Sequence, residues 1–271
     1  MLELRRLRFL RRWLLWHISG IRYLRYFSNQ NLIIVTGANH NHYASLKQFV
    51  ASATRFESHS KLIIFDLGLY PSQLSELKDI TSTNSLIEIR TFLFDKYPSH
   101  MNIEVNAGEY AWKPIIISEI CSQFEEFVLW CDSGNIIDKR LSWIRRIIQR
   151  DGIYSPYSSG TVSDWTHPGM LSFLNIDDEH RSRKNLNAAV VGLNPCDPLI
   201  AKLLNDWRSC AMNVACISPA GSSRINHRQD QAALTVIAIQ NGIIKASRPR
   251  YINQLWEPLG LRIQCDVVNE Q

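Results

Sequence analysis

The sequence predicts a single α/β domain, Rossmann-like, with a mostly parallel central sheet and an irregular C-terminal third. Three observations lead there. Short runs that are apolar on both faces recur along the chain, amphipathic stretches of helical length separate them, and the runs end on polar residues or glycine. Strands buried on both sides belong to parallel sheets covered by helices, which the intervening stretches supply.

The first predicted strand is Leu32–Thr36 (LIIVT), followed by a helix over Tyr43–Thr54. Lys61–Asp66 (KLIIFD) and Leu86–Arg90 (LIEIR) are the next strands, with a helix at Ser72–Lys78 between them. A helix over Tyr110–Gln123 leads to Phe127–Cys131 (FVLWC), and another helix is expected from Asp138 to Arg150. The Gly/Ser/Tyr/Pro-rich stretch from Asp151 to Pro168 reads as a long loop, a kind that is usually functional. A strand at Ala188–Gly192 and helices near Asp197–Cys210 and Gln229–Ile239 complete the pattern. No internal repeat or low-complexity linker divides the chain, so residues 31–271 read as one domain.

At 271 residues and 45% hydrophobic, the chain is long and apolar enough for one substantial core. Its net charge of +5 is unevenly placed. Residues 1–30 carry seven Arg against Glu3, a local +6, and the remainder holds 23 basic and 24 acidic residues, a net of −1. A near-neutral body argues against nucleic acid as a partner, because tracking phosphates requires positive charge over the whole binding face. In residues 1–30 the arginines alternate at helical spacing with Trp13, Trp16, Leu and Phe, and the longest nearly uncharged run is nine residues. That is too short to span a bilayer, which takes about 20 apolar residues. The segment suits a basic amphipathic helix lying on an anionic membrane surface, one docked on the protein's own body or a second subunit, or a targeting peptide, which shares this Arg-rich, acid-poor composition. The six cysteines show no metal spacing and sit mostly in apolar stretches, as buried free thiols do, and no N-x-S/T sequon occurs. These features favour a cytoplasmic setting, peripheral to a membrane if the N-terminal helix binds one.

In open α/β sheets, ligands bind beyond the carboxyl ends of the strands. Asp132 closes the apolar run Phe127–Cys131 and is followed by Ser133 and Gly134. A carboxylate at that lip suits a divalent cation on a diphosphate, or else caps the following turn. Gly134 would let a ligand approach the backbone. Asp66, ending its own strand, is either an Asx turn or part of a nucleotide pocket. Thr36-Gly37-Ala38-Asn39 forms a turn that would seat a base or ribose, without the G-x-G-x-x-G pattern. Lys113 adds positive charge near a helix start, where the macrodipole disfavours it. Either a bound anion relieves that conflict or the lysine is simply solvated. His227-Arg228-Gln229-Asp230-Gln231 places five hydrogen-bonding side chains before an apolar helix, and Asp230 serves there as a cap, a base or a sugar contact.

The blocks Leu62–Leu69, Tyr110-Ala111-Trp112-Lys113-Pro114, Val128–Gly134 and His227–Gln231 together resemble nucleotide-sugar glycosyltransferases of the GT-A fold. Within that fold they are similar to a poorly characterised family with Tyr-Ala-Trp-Lys-Pro and Leu-Trp-Cys-Asp-Ser-Gly blocks. The resemblance covers roughly residues 31–245. It implies transfer of a sugar from a nucleotide diphosphate donor to a glycan or lipid-linked acceptor. The implied donor contacts are Thr36, Asp66, Trp112, Lys113, Asp132 and Ser133. Asp132 would carry Mn²⁺ or Mg²⁺ with water's help, or bind the ribose with no metal, since the second acid of the Asp-x-Asp motif is replaced by Gly134 and no His follows His227. Asp230 and Gln231 are similar to the Asp-Gln stretch that touches the donor sugar in retaining relatives, which tilts the expectation slightly to retention. Asp164, Trp165, His167 and His227 would face the acceptor, with Trp165 stacking on a sugar. The rival readings are a nucleotidyltransferase and a non-catalytic, membrane-docked module that binds nucleotide sugars.

Overall fold

The computed structural model describes residues 31–243, 260–263 and 265–267. The basic N-terminal segment 1–30 lies outside the described residues. Among the residues described, no helix is long and apolar enough to cross a membrane.

In chain order the strands are β1 (Leu32–Ala38), β2 (Lys61–Asp66), β3 (Ile87–Thr91), β4 (Phe127–Cys131), β5 (Ile136–Ile137), β6 (Ile153–Tyr154), β7 (Tyr157–Thr161), β8 (Lys184–Leu186), β9 (Val190–Leu193) and β10 (Leu261–Arg262). The α-helices are α1 (Tyr43–Phe56), α2 (Pro71–Thr81), α3 (Trp112–Gln123), α4 (Ser142–Asp151), α5 (Val162–Trp165), α6 (Pro168–Phe173), α7 (Pro198–Ala211), α8 (Val214–Ile217) and α9 (Gln229–Gln240). The main sheet has the order β3-β2-β1-β4-β9-β6. The pairs β1–β2, β2–β3 and β1–β4 are parallel, and β9 runs antiparallel to both β4 and β6. The architecture is thus α/β with a mostly parallel central sheet, as the apolar runs require.

Alternation along β1 builds the two cores. Ile33 and Val35 join Ile63, Trp130, α3, α7 and α9 on one face. Leu32 and Ile34 join Leu62, Leu129, α1 and α4 on the other. Both faces are covered, which is why these strands read as continuous apolar runs rather than as alternating ones.

Several boundaries differ from expectation for identifiable reasons. β1 runs two residues beyond Thr36, because Gly37 and Ala38 pair with Phe65 and Asp66 of β2. Helix α4 starts at Ser142 rather than Asp138, since Asp138 N–H donates to the Gly260 carbonyl and Leu141 N–H to Glu57 Oε1. The stretch expected as a long loop, 151–168, is organised instead. It contains β6 on the edge of the main sheet, β7 paired with β8, and the short helix α5. Nor are all six cysteines free: Cys210 and Cys216 form a disulfide between α7 and α8, their Cα atoms 5.2 Å apart. The tight connection between those helices brings the pair within disulfide reach.

Candidate active site

The carboxyl ends of β1, β2 and β4 form one rim of the molecule, and the chemistry collects below β4. Lys113, in the first turn of α3, is 3% exposed, so it is not a solvated surface lysine. Its ammonium lies 2.9 Å from Asp132 Oδ1 and 3.1 Å from Asp230 Oδ2. The Ala188 carbonyl accepts a hydrogen bond from the same ammonium at 3.4 Å. Three rings surround the same charge, with the Tyr110, Trp112 and Trp130 centroids at 5.6, 5.9 and 5.7 Å. The charge is thus paired with two carboxylates at once, so Lys113 braces them rather than standing open to a diphosphate.

The brace sets the electrostatics. Burial alone would pull the Lys113 pKa down, but the charges and hydrogen bonds of Asp132 and Asp230 outweigh it, and the net shift is upward. Burial raises the Asp230 pKa, and the Asp132 charge adds to the rise while Lys113 opposes it. Asp132 is the open member, with a side chain 38% exposed. Its Oδ1 also accepts from Trp130 Nε1 at 2.7 Å, so the contacts that fix this carboxylate all fall on Oδ1.

The approach to this triad is strained. Asn106, Ala107, Gly108, Glu109 and Tyr110 have φ of 49°, 53°, 61°, 50° and 53°, a left-handed turn directly before α3. Left-handed helical backbone costs about 1–2 kcal/mol per non-glycine residue, so packing must hold it. Trp112 Nε1 donates to the Ala107 carbonyl at 3.0 Å, and Gln229 Nε2 donates to Glu109 Oε2 at 3.2 Å. A Cβ on Gly108 would overlap the Met101 carbonyl, so only glycine fits there. Gln229 itself has φ of 25° at the head of α9, so two strained segments are clasped to each other on either side of Lys113 and Asp230. Arg224 lies over the Tyr110 ring at 5.3 Å, and Arg228 over Trp165 at 4.2 Å. Glu109 and Arg224 carry no sequence signal of this role, and Gln229 is marked only as one of five polar residues around the start of α9. The pair of positive-φ-tolerant residues in Asn106-Ala107-Gly108 was the local signal available.

Other residues expected in the site do different work. Thr36 is fully buried inside β1, not in a turn. Asp66 forms the Asx turn, its Oδ1 accepting from Gly68 and Leu69 N–H at 2.9 and 2.7 Å. Trp112 and Ser133 are buried, with Trp112 packed against Trp130. Asp164 caps α5 by accepting from the Thr161 N–H at 2.7 Å and hydroxyl at 2.9 Å, which accounts for its lowered pKa. One face of Trp165 is taken by Arg228, which leaves at most the other for a sugar. His167 caps α6 through the Gly169 N–H. His227 is wholly buried and both ring nitrogens are engaged: Nδ1 accepts from His167 N–H and Nε2 donates to the Ile217 carbonyl. Burial depresses its pKa, so it is a neutral structural histidine and not an acceptor contact. Gln231 is half-buried in the first turn of α9, next to Asp230. Gly134 makes room for the chain itself and not for a ligand. A Cβ there would overlap the Asp266 carboxylate, and Cys265 N–H donates to the Gly134 carbonyl at 2.6 Å.

The donor set is a poor match for a metal centre. Among the described residues, no group of three His, Cys, Asp or Glu side chains could hold an ion. The place where a cation would bridge Asp132 and Asp230 is filled by the Lys113 ammonium.

The fold is that of GT-A glycosyltransferases. The chain superposes on an active-site mutant of LgtC with a TM-score of 0.52 at 13% identity, over 87% of this chain and 88% of that one. It is similar to the bifunctional glycosyltransferase WbbM with a TM-score of 0.51 at 13% identity, covering 77% of this chain and 38% of that longer protein. The mannosyltransferase Ktr4p of S. cerevisiae gives 0.51 at 8% identity, over 78% of this chain and 66% of that one. The model of a family described as "Protein of unknown function (DUF1647)" matches residues 22–118. No curated protein matches the sequence at a significant level.

Proposed function

We propose that the chain is a glycosyltransferase that moves a sugar from a nucleotide diphosphate donor to a glycan or lipid-linked acceptor. The observation that carries this reading is the Lys113–Asp132–Asp230 brace at the carboxyl ends of parallel strands in a GT-A fold. The open oxygen of Asp132 accepts hydroxyls of the donor. Asp230, held by Lys113 and by the Trp207 indole on its carbonyl at 3.0 Å, orients the donor sugar together with Gln231. A carboxylate fixed this way positions a substrate better than it shuttles a proton, which tilts the reading towards retention. In the reaction the bond between the anomeric carbon and the diphosphate oxygen breaks, and the acceptor oxygen takes its place. The acceptor's proton ends on the departing diphosphate.

With Lys113 committed, Arg224 and Arg228, on the segment leading into α9, are the candidates among the described residues for that diphosphate. Preorganised charge at the leaving group is the main catalytic lever open to such a site. No step is assigned to a divalent ion. The Arg-rich segment 1–30 would hold the enzyme at an anionic membrane surface.

Calorimetry with UDP- and GDP-sugars, paired with turnover assays, tests the reading. Asp132→Ala should bind the cognate donor at least about tenfold more weakly, the worth of one charge-assisted hydrogen bond. Unchanged affinity and turnover in that variant would overturn the site. Donor binding without transfer to any glycan would leave a binding module instead of an enzyme.

A further inference from the structure

A cavity lies at the opposite end of the sheet from the brace. It encloses about 510 Å³ between the start of β1 (Asn31, Leu32), the last turn of α1 with the residues after it, and Arg140 and Arg145 before and within α4. Its floor is rigid and internally neutral. Arg145 donates from Nη1 and Nη2 to Glu57 at 2.9 and 2.5 Å and from Nη2 to Ser60 Oγ at 2.9 Å, all three residues being buried.

The rim is not neutral. Arg55, His59 and Arg140 are exposed, and among the described residues neither Arg55 nor Arg140 has a carboxylate within ion-pair distance. Arg55 lies over the half-buried Phe56 ring at 5.0 Å, which sets a cation beside apolar surface. The rest of the body is close to neutral, so this local excess is not part of a general basic surface. The chain also enters here: Asn31 lines the cavity and follows directly on a segment carrying +6. A basic cavity that adjoins so basic a stretch of sequence is complementary to an anionic partner.

We propose that this cavity takes the anionic headgroup of a membrane lipid, with Arg55 and Arg140 as its phosphate ligands. The inference does not depend on the glycosyl-transfer reading. β1 alone, seven residues long, puts about 23 Å between this end and the crevice. Lipid bound here leaves the donor site free.

Co-sedimentation of the full chain with phosphatidylcholine vesicles, with and without phosphatidylserine, tests the proposal. The wild type should bind the anionic vesicles, and Arg55→Glu/Arg140→Glu should bind them about tenfold more weakly or worse. Arg55→Gln/Arg140→Gln should show a smaller loss in the same direction. Both variants should keep the wild-type thermal midpoint, because the side chains they alter are exposed. Wild-type vesicle affinity in the charge-reversed variant would overturn the proposal and assign docking to segment 1–30 alone. Binding indifferent to vesicle charge would overturn it as well. Vesicle binding displaced by inorganic phosphate at equal headgroup concentration would make the cavity a soluble-anion site and overturn the lipid assignment.

Discussion

Removing the Lys113 ammonium tests the core of the site, because among the described residues Lys113 is the cation shared by the two carboxylates. In Lys113→Met the apolar stem is kept, while Asp230, 6% exposed, loses the charge that compensates its burial. Breaking a buried pair by deleting one partner costs about 3–5 kcal/mol. The Asp132 arm adds little, because that side chain is 38% exposed and solvent screens it. A loss of about 3–4 kcal/mol, measured by urea unfolding followed through tryptophan fluorescence, is the expected outcome. It corresponds to a fall of about 6–16 °C in Tm for a domain of this size. Adding Asp230→Asn should restore at least about half the loss, since the amide needs no counter-charge. The single variant should also regain stability as the pH is lowered. Burial already raises the Asp230 pKa, and without Lys113 the folded state takes up its proton at still higher pH than the unfolded chain does. The brace would be refuted if the two substitutions were additive within about 0.5 kcal/mol or if Lys113→Met were indifferent to pH.

Three further outcomes follow from the geometry. Gly134→Ala should release the 260–267 segment, seen as faster hydrogen exchange there, at a cost of about 1–3 kcal/mol for overpacking against Asp266. Glu57→Gln should cost about 3 kcal/mol at neutral pH, because Arg145 is left buried without its partner's negative charge. Burial raises the Glu57 pKa, but the hydrogen bonds and charge of Arg145 outweigh it and hold it below the ordinary 4.5. Its stabilisation is therefore complete above that value and lost as pH falls through the depressed one, and the gap between wild type and variant should close in acid. Chelation with EDTA should change donor affinity by less than about twofold, because Lys113 stands where an ion would bridge Asp132 and Asp230; a loss of binding restored by Mn²⁺ would contradict this.

The main sheet was legible because its physics is local. Leu32–Thr36, Lys61–Asp66 and Phe127–Cys131 are apolar on both faces, and only a covered sheet accommodates that. Asp132 was legible for a related reason: a carboxylate closing such a strand must emerge at its end. The partnership of Lys113, Asp132 and Asp230 was not. Nothing near Lys113 in sequence distinguishes a solvated lysine from a buried one, and Asp230 arrives from a helix more than a hundred residues away. Asp164, His167 and His227 carry the same functional groups as a sugar site but spend them on caps and carbonyls, a choice made by neighbours that only folding supplies. Gly134 reads as an opening for a ligand until the C-terminal segment is seen lying against it.

The sequence by itself determined the layering of sheet and helices, the carboxylates at the strand ends and the concentration of positive charge in residues 1–30, because hydrophobic period and charge are properties of contiguous residues. Only the tertiary structure decided which polar groups are spent and which are left open. Burial and ion pairing depend on residues that are distant in the chain. Here they commit Lys113 to two carboxylates, leave one edge of Asp132 open to a ligand, and leave Arg55 and Arg140 without carboxylate partners among the described residues at the far end of the sheet.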